Sequence, residues 1–414
     1  MDKAIPRASA LALAMMFLVH TANFLDRNIL GMLLPQIRTE FHLSDSAMGF
    51  LAGPPFVLVY TLLGLPLAVV TDRGHRRRVI ALSLTVFSLM TAMCAAAASF
   101  PQLLLARIGV GLGEAGIAPG LTALVADRFA PSRRTGAMSV ISAGTNFGLL
   151  LSFFGGGLIA QHYGWRTAFL AAGVASGLLI LPFLLVVKET AVPSTAPRTG
   201  LLETIRFLLA RRSFRFIALG CGLASMSGYA GLTFVPSFLV RSHHLTPLQT
   251  GMTLALFTGV FGFAGTALPG LLSDRWGRGD PRWGIYAAAL CIAISLPFHA
   301  LFYLATPLPL ALVGLTGSAI FATSFLGPSL AAVQNLAETR MRAQAAALLL
   351  VLLNLIGLGL GPLFAGLVSD QLRHIAGEES LRYALLCNLV PSTLAALCFW
   401  QATTSLSGEL NSNP

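Results

Sequence analysis

Long apolar stretches separated by short polar segments run along the whole chain. A helix that crosses a bilayer needs about 20 mostly apolar residues, and twelve stretches of that kind can be counted. Each of them predicts a transmembrane helix. In approximate bounds, they cover residues 10–36, 45–71, 79–98, 101–127, 136–160, 165–187, 214–240, 247–272, 283–304, 308–334, 343–369 and 382–404.

The amino-acid composition agrees with a membrane protein. Hydrophobic residues make up 55% of the 414 residues and charged residues only 10%, whereas soluble domains carry about 25% charged residues. The first stretch lacks the short apolar core and the cleavage site of a removable signal peptide, so we expect it to be the first span. Five cysteines fall in apolar stretches without metal-ligand spacing and are interpreted as core residues; they are Cys94, Cys221, Cys291, Cys387 and Cys398.

Positive charge is distributed unevenly between the predicted loops. With an even number of spans both termini share one side, and twenty lysines and arginines fall on that side against five on the other. This asymmetry predicts cytoplasmic termini in a multi-pass protein of the bacterial inner membrane. The net charge of +11 is therefore explained by membrane topology, and we do not expect nucleic acid to be a partner.

A polar segment divides the predicted spans into six and six. Residues 189–213 are rich in Pro, Thr, Ser and charge and predict a cytoplasmic linker, with one six-helix bundle in residues 1–188 and another in 214–414. Within the linker, residues 201–210 predict a short amphipathic helix on the inner membrane surface. The tryptophans fall at span ends, as interfacial anchors do; they are Trp165, Trp276, Trp283 and Trp400.

Two loops repeat an Asp-Arg pattern at matching positions of the two halves. The first carries Asp72, Arg73 and Arg76, and the second carries Asp274, Arg275 and Arg278. With the six-plus-six layout, these loops resemble the G-x-x-x-D-R-x-G-R motif of the major facilitator superfamily. The second loop fits the motif, whereas the first has Ala68 and His75 where glycines are expected. The resemblance implies an all-α membrane fold of twelve helices in two pseudo-symmetric bundles that work by alternating access. We expect the monomer to be functional.

The segment RIGVGLGEAG (107–116) matches the G-x-G-x-x-G fingerprint of dinucleotide-binding turns. That fingerprint requires a preceding strand in a soluble βαβ unit, and here it lies within a predicted span. Glycines at this spacing in a membrane helix allow neighbouring helices to approach closely. We therefore interpret Gly111, Gly113 and Gly116 as packing positions.

Four charged residues lie at membrane depth in the first half. Asp26 and Arg27 are in span one, while Arg107 and Glu114 lie two turns apart on one face of span four, about 10 Å along its axis. An unpaired charge at the bilayer centre costs about 2.5–3.5 kcal/mol. We therefore expect the four residues to be paired or hydrated, with Arg107 placed to pair with either carboxylate. Ionisable groups of this kind mark substrate or proton pathways, although a static salt-bridge cluster would give the same pattern.

The stretches that carry these charges narrow the resemblance. FLDRNILGMLLPQI, RIGVGLGEAGIAPGLTALVADRF and NLIGLGLGPLFAGLVSD are similar to the spinster-like branch of the superfamily. The resemblance implies a cavity in which Asp26 and Glu114 carry the coupling proton, while Arg27 and Arg107 bind the head group of a lysolipid or sphingoid phosphate. An organic-anion symporter branch shares the charged motifs, and Gly357, Gly359, Gly361 and Pro362 favour the spinster-like branch.

Weaker substrate-binding candidates are four polar residues in the spans. Asn23 and His20 share a stripe of span one with Arg27, and helix packing is an equally good reading for His20. Tyr229 and Asn354 are the candidates in the second half. The sequence carries no nucleophile–base or metal-ligand motif of a membrane enzyme.

The sequence as a whole predicts a secondary transporter and not an enzyme. The leading hypothesis is proton-coupled movement of an amphiphilic or organic anion, such as a lysolipid. The alternatives are a proton symporter for small organic acids and a drug or metabolite exporter of the same superfamily. We expect no cofactor, with the proton gradient as the energy source, and a small molecule or lysolipid and the lipid bilayer as partners.

Overall fold

A computed structural model describes residues 7–72, 74–189, 200–261, 280, 282–322, 324–338 and 340–411. Within these ranges, regular structure is entirely helical and no strand occurs. The predicted all-α class is therefore confirmed. The chain folds into two compact units, which are described one at a time.

Unit 1 comprises Met1–Leu43, Pro55–Thr195 and Leu245–Ala255. Long apolar helices build it, with α4 packed on α5 and α8, and α1 packed on α7 and α8. Its helices are α1 (Arg7–Phe41), α3 (Pro54–Asp72), α4 (Arg76–Ala95), α5 (Phe100–Glu114), α6 (Ile117–Arg128), α7 (Pro131–Leu150), α8 (Gly156–Leu178), α9 (Ile180–Val186) and α12 (Pro247–Leu254).

Unit 2 comprises Ser44–Pro54, Ala196–His244 and Leu256–Pro414. One core cluster, which includes Ile217, Val333, Leu349 and Phe399, lies where α11, α15, α16 and α18 meet. Its helices are α2 (Asp45–Ala52), α10 (Leu201–Ala210), α11 (Arg212–Ser242), α13 (Trp283–Leu304), α14 (Leu308–Ala322), α15 (Leu326–Leu336), α16 (Arg342–Ala376), α17 (Ser380–Cys387) and α18 (Leu389–Asn411).

The described residues contain nine helical segments long and apolar enough to cross a membrane. Two of these segments, of 55 and 69 residues, are each long enough for two crossings, since one crossing needs about 20 residues. The nine segments together account for eleven of the twelve predicted spans. The remaining span, residues 247–272, lies partly outside the described residues.

Local sequence features explain where several helices begin and bend. Gly164 interrupts α8 with a φ of 81°, so this glycine alone forms the turn between predicted spans five and six. The Ser44 side chain caps α2 by accepting a hydrogen bond from the backbone N of Ala47. Thr246 and Gln249 form a reciprocal capping box at the start of α12.

A polar cluster of Glu40, Trp165 and Arg166 joins α1 to α8 in unit 1 by hydrogen bonds. Trp165 Nε1 donates to Glu40 Oε2 at 2.7 Å, and Arg166 NH1 donates to the same oxygen at 2.6 Å. The Arg166 guanidinium also lies 4.2 Å from the Trp165 ring centroid. The expectation that Trp165 is an interfacial anchor is therefore wrong, because its ring is buried against α1 and its polar edge is already hydrogen-bonded.

Unit 2 contains a buried charge network around Asp45, the first residue of α2. Arg241 donates to both Asp45 carboxylate oxygens, at 2.7 and 2.9 Å, and Ser369 donates to Oδ2 at 2.6 Å. The Asp370 carboxylate accepts from the backbone N of Asp45 and of Ser46. This carboxylate therefore satisfies N–H groups that a helix start leaves unpaired.

The predicted domain boundaries at residues 188 and 213 stay a prediction. The two compact units are divided in another way, because the short segments Ser44–Pro54 and Leu245–Ala255 belong to unit 2 and unit 1, respectively. The predicted linker helix is present as α10, Leu201–Ala210.

Candidate functional site

Unit 1 brings the four membrane-depth charges together. Asp26 and Arg27 come from the middle of α1, and Arg107 and Glu114 come from α5. Asp26, Arg107 and Glu114 are buried, and the Arg27 side chain is nearly so. The four side chains therefore face the interior of the unit and not the lipid, as the cost of an isolated charge in hydrocarbon requires.

The ion pair of the cluster joins Arg27 to Glu114. Arg27 donates from Nε at 2.9 Å and from NH2 at 2.6 Å, and both bonds end on Glu114 Oε2. The other oxygen, Oε1, has no hydrogen-bond partner in the described part of the chain. The sequence predicts that Arg107 can pair with either carboxylate. That expectation is wrong, because Glu114 pairs with Arg27, and Arg107 donates to the backbone oxygen of Asp26 and not to its carboxylate.

Three aromatic rings surround the Arg27 guanidinium. Its Cζ lies 5.4 Å from the centroid of Phe24, 5.3 Å from that of Phe56 and 5.0 Å from that of Tyr60. Ring faces attract a cation, by about 2 kcal/mol or more where water is excluded. The rings and the Glu114 carboxylate together stabilise Arg27 in one position.

The Asp26 carboxyl group points to other neighbours. Its Oδ2 accepts hydrogen bonds from the hydroxyl groups of Thr91 on α4, at 3.2 Å, and Ser176 on α8, at 3.4 Å. Its Oδ1 has no partner, and no cation forms an ion pair with this carboxyl among the described residues. A buried carboxyl group with neutral donors on one side only can take up a proton without breaking a salt bridge.

Arg107 is the cation of the cluster that lacks a carboxylate partner in the described ranges. Its side chain is 2% exposed. NH1 donates to the backbone oxygen of Asp26 at 3.3 Å, and Cζ lies 5.6 Å from the Phe56 ring centroid. Nε has no partner. A guanidinium carries five donors, so most of its hydrogen-bonding capacity is not used by the described residues.

The weaker candidates of α1 lie beside this cluster. His20 Nε2 is 3.1 Å from Thr145 Oγ1 on α7, and its ring centroid lies 4.9 Å from that of Phe24. Asn23 is buried, and its Nδ2 has no partner within the described residues. His20 thus contributes to the packing of α1 on α7, while the Asn23 amide keeps an unused donor.

The glycines of the G-x-G-x-x-G segment lie against neighbouring helices. A Cβ on Gly111 would lie 2.8 Å from the backbone oxygen of Phe56, and one on Gly113 would lie 2.4 Å from the backbone N of Phe87. A Cβ on Gly116 would lie 2.4 Å from Ser83 Oγ. Their interpretation as packing positions is confirmed, and the close approach at Gly111 sets Phe56 beside both arginines.

The candidates of the second half form a pair within unit 2. The Tyr229 hydroxyl group of α11 donates to Asn354 Oδ1 of α16 at 3.3 Å. The glycine run of α16 packs against the same helix, because a Cβ on Gly361 would lie 2.3 Å from the backbone oxygen of Met226. The structure brings Tyr229 and Asn354 together, and their role in substrate binding stays a prediction.

Of the two loop motifs, the structure describes one arginine with its partner. The Arg76 guanidinium forms a buried ion pair with Asp127, near the end of α6. The side chain of Asp72, with Arg73, Asp274, Arg275 and Arg278, lies outside the described residues. In this loop, then, an arginine binds the end of the neighbouring span.

Residues 16–362, the greater part of the chain, match the Major Facilitator Superfamily. The chain belongs to this superfamily. Together with the apolar helices, the match identifies the protein as a multi-pass membrane transporter and not an enzyme.

Similar proteins include transporters of several kinds. An MFS-type efflux pump of Mycolicibacterium smegmatis is 35% identical over 97% of this chain and 94% of its own. A probable L-galactonate transporter of Escherichia coli is 27% identical over 78% of this chain and 75% of its own. A hexuronate transporter of Bacillus subtilis is 25% identical over 69% of each chain.

A solved structure of similar fold supports the spinster-like resemblance. It is a bacterial homologue of the human lysosomal transporter Spinster in an inward-facing, unoccupied conformation. The present chain matches that structure with a TM-score of 0.87 and 26% sequence identity, over 99% of each chain. The fold and the spinster-like branch predicted from the sequence are therefore confirmed.

Sequence reasoning missed the neutral residues around the four charges. They are Phe24, Phe56, Tyr60, Thr91 and Ser176. Phe24 had a usable signal, since it lies three residues before Arg27 and so on the same helix face. The others come from helices whose rotation the sequence does not determine.

Proposed function

We propose that the transporter moves an organic anion and couples this movement to protons. Arg107 carries the proposal, because it is a buried guanidinium without a carboxylate partner among the described residues. A buried cation is destabilising unless it is paired. A carboxylate or phosphate group of a substrate would supply the missing partner through bidentate hydrogen bonds.

Arg27 plays a different part in this proposal. Its donors are directed to Glu114 and its faces to three aromatic rings. An anion can bind Arg27 only where the Glu114 carboxylate is neutralised or displaced. Protonation of Glu114 would therefore release Arg27, and this exchange would link proton uptake to anion binding.

Asp26 is the second proton carrier of the proposal. Its carboxyl group lies among hydroxyl donors and not in an ion pair, so it can take up a proton without breaking an ion pair.

Two of the relatives support an organic anion as the substrate, and the relatives as a group leave the size of the substrate open. Galactonate and hexuronates, which name two of the relatives, are sugar acids. The spinster-like resemblance of the charged stretches implies an amphiphile such as a lysolipid, and the efflux pump favours an exported compound. The second candidate functions are therefore transport of a small organic acid and export of a drug or metabolite. Any of these substrates that carries an acidic group would bind Arg107 in the same way.

The test is binding and transport in proteoliposomes, with D-glucuronate and lysophosphatidylglycerol as probes. Arg107→Gln should weaken binding of an accepted probe at least tenfold, because a charge-assisted pair contributes about 1.5–3 kcal/mol. Arg373→Gln, at an exposed arginine, is the matched control and should bind as wild type. Unchanged affinity of Arg107→Gln for an accepted probe would contradict the anion site.

Proton coupling is measured separately. An inward pH gradient should change the initial rate in wild type, and Glu114→Gln should abolish this response while exchange of the probe across the membrane continues. A rate independent of the gradient in wild type would remove the proton from the mechanism and leave the anion site intact.

A further inference from the structure

The linker helix α10 has one face buried in unit 2 and one face exposed. Thr204 and Leu208 are fully buried, and the Thr204 hydroxyl group donates to Gln344 in the first turn of α16. On the opposite face, Leu202 is 61% and Leu209 is 48% exposed, with exposed Arg206 between them. An exposed apolar strip with an arginine beside it is typical of a helix at a membrane surface.

Aromatic residues of unit 2 mark the depth of this helix. The exposed rings of Trp283 and Trp400 flank Tyr286, with centroid distances of 6.2 and 5.4 Å. Tryptophan and tyrosine collect at the level of the lipid headgroups. This aromatic cluster therefore places the membrane interface near residue 400 of α18.

The start of α11 lies just beyond that level. Ser213 Oγ is 2.9 Å from Ser405 Oγ, and the Glu409 carboxylate accepts from the backbone N of Arg212 and of Ser213. Ser405 is five residues after Trp400, or about 7.5 Å along the helix. The first turn of α11, and α10 directly before it, thus lie at the depth of phosphate groups.

Three arginines at this depth have no carboxylate partner in the described ranges. Arg206, Arg212 and Arg215 are exposed, and none of them forms an ion pair there, whereas nearby Glu203 pairs with Arg340. The Glu409 carboxylate is directed to backbone N–H groups. The three guanidinium groups therefore present positive charge beside lipid-facing leucines, including Leu219 on α11.

We propose that this surface, formed by Leu202, Arg206, Leu209, Arg212, Arg215 and Leu219, binds anionic phospholipids of the inner leaflet. The arginines would hold the headgroup phosphates, and the leucines would contact the acyl chains. The partner is a lipid and not a soluble phosphate compound, because half of the surface is apolar. This inference is independent of the transported substrate.

The experiment measures lipid retained by the full-length protein. Wild type and variants are purified in detergent with equal amounts of phosphatidylglycerol and phosphatidylcholine, and native mass spectrometry counts the bound lipids. Each arginine near an anionic surface contributes roughly fivefold to affinity. The triple variant Arg206→Gln, Arg212→Gln, Arg215→Gln should therefore bind phosphatidylglycerol on the order of a hundredfold more weakly.

Two further variants separate charge from apolar contact. The triple Arg→Lys variant at the same positions keeps the charge and should retain preferential phosphatidylglycerol binding. The pair Leu202→Ser, Leu209→Ser should lower retention of both lipids. Equal retention of phosphatidylglycerol by wild type and the triple Gln variant would overturn the proposal, as would competition by glycerol 1-phosphate at the concentration of the lipid.

Discussion

Removing one member of the Asp45–Arg241 pair should destabilise the protein strongly. The two side chains are 3% and 10% exposed, and they share two hydrogen bonds of 2.7 and 2.9 Å. Loss of one partner of a buried pair costs about 3–5 kcal/mol, because the other charge stays buried. For a domain of this size, about 2–4 °C per kcal/mol gives a decrease in melting temperature on the order of 10 °C.

The chain offers a matched control for this prediction. Arg373 and Glu378 also form an ion pair in unit 2, but at 3.6 Å and with side chains 51% and 64% exposed. Exposed pairs contribute about 0–1 kcal/mol, so Arg373→Gln should leave the melting temperature within about 2 °C of wild type. Thermal unfolding in detergent, followed by tryptophan fluorescence, compares Asp45→Asn and Arg241→Gln with this control.

A double variant sharpens the test. Asp45→Leu with Arg241→Met removes both charges and should recover most of the loss, since apolar replacement of a buried pair is close to neutral. Equal melting temperatures for Asp45→Asn and Arg373→Gln would refute the reasoning, because the burial of the pair would then have no energetic consequence.

Three more changes test other parts of the structure. Gly113→Ala should lower the melting temperature by overpacking against Phe87, at about 1–3 kcal/mol, whereas Gly136→Ala, with open space at its Cβ, should not. Burial lowers the pKa of His243, and the Arg382 charge lowers it further, against the opposing effect of Glu379. Below about pH 6.5 the unfolded chain therefore takes up a proton at His243 more readily than the native state does, and the stability falls as the pH drops. His243→Gln should weaken the dependence of the melting temperature on pH between pH 7.5 and 5. An unchanged dependence would contradict this prediction. Thr91→Val removes a donor to the Asp26 carboxyl group and should change the pH dependence of transport, while Thr91→Ser, which keeps a hydroxyl group, should leave the profile in place.

The spans and the charged residues of the site could be predicted from the sequence, because lipid imposes length, apolarity and pairing on every crossing helix. The partners within the site could not. Asp26 and Arg27 are adjacent, so their side chains point about 100° apart around α1. One therefore faces Thr91 and Ser176 and the other faces Glu114. The rotation of α1 about its axis determines which of the two side chains faces which neighbours. This rotation results from helix packing at glycines such as Gly148, where a Cβ would lie 2.6 Å from the backbone oxygen of Thr21.

The ion pair of Arg27 with Glu114 also has a consequence for biosynthesis. The two residues are 87 positions apart, and a ribosome that adds about 5–20 residues per second needs roughly 4–17 seconds to reach the second one. During that interval the first helix carries the Arg27 guanidinium, whose partner carboxylate, Glu114, has not yet been synthesised. Lateral release of this helix into the bilayer is therefore unfavourable by about 2.5–3.5 kcal/mol until the fourth span, which contains α5, arrives. The first four spans of this transporter should leave the translocon as a group and not one by one.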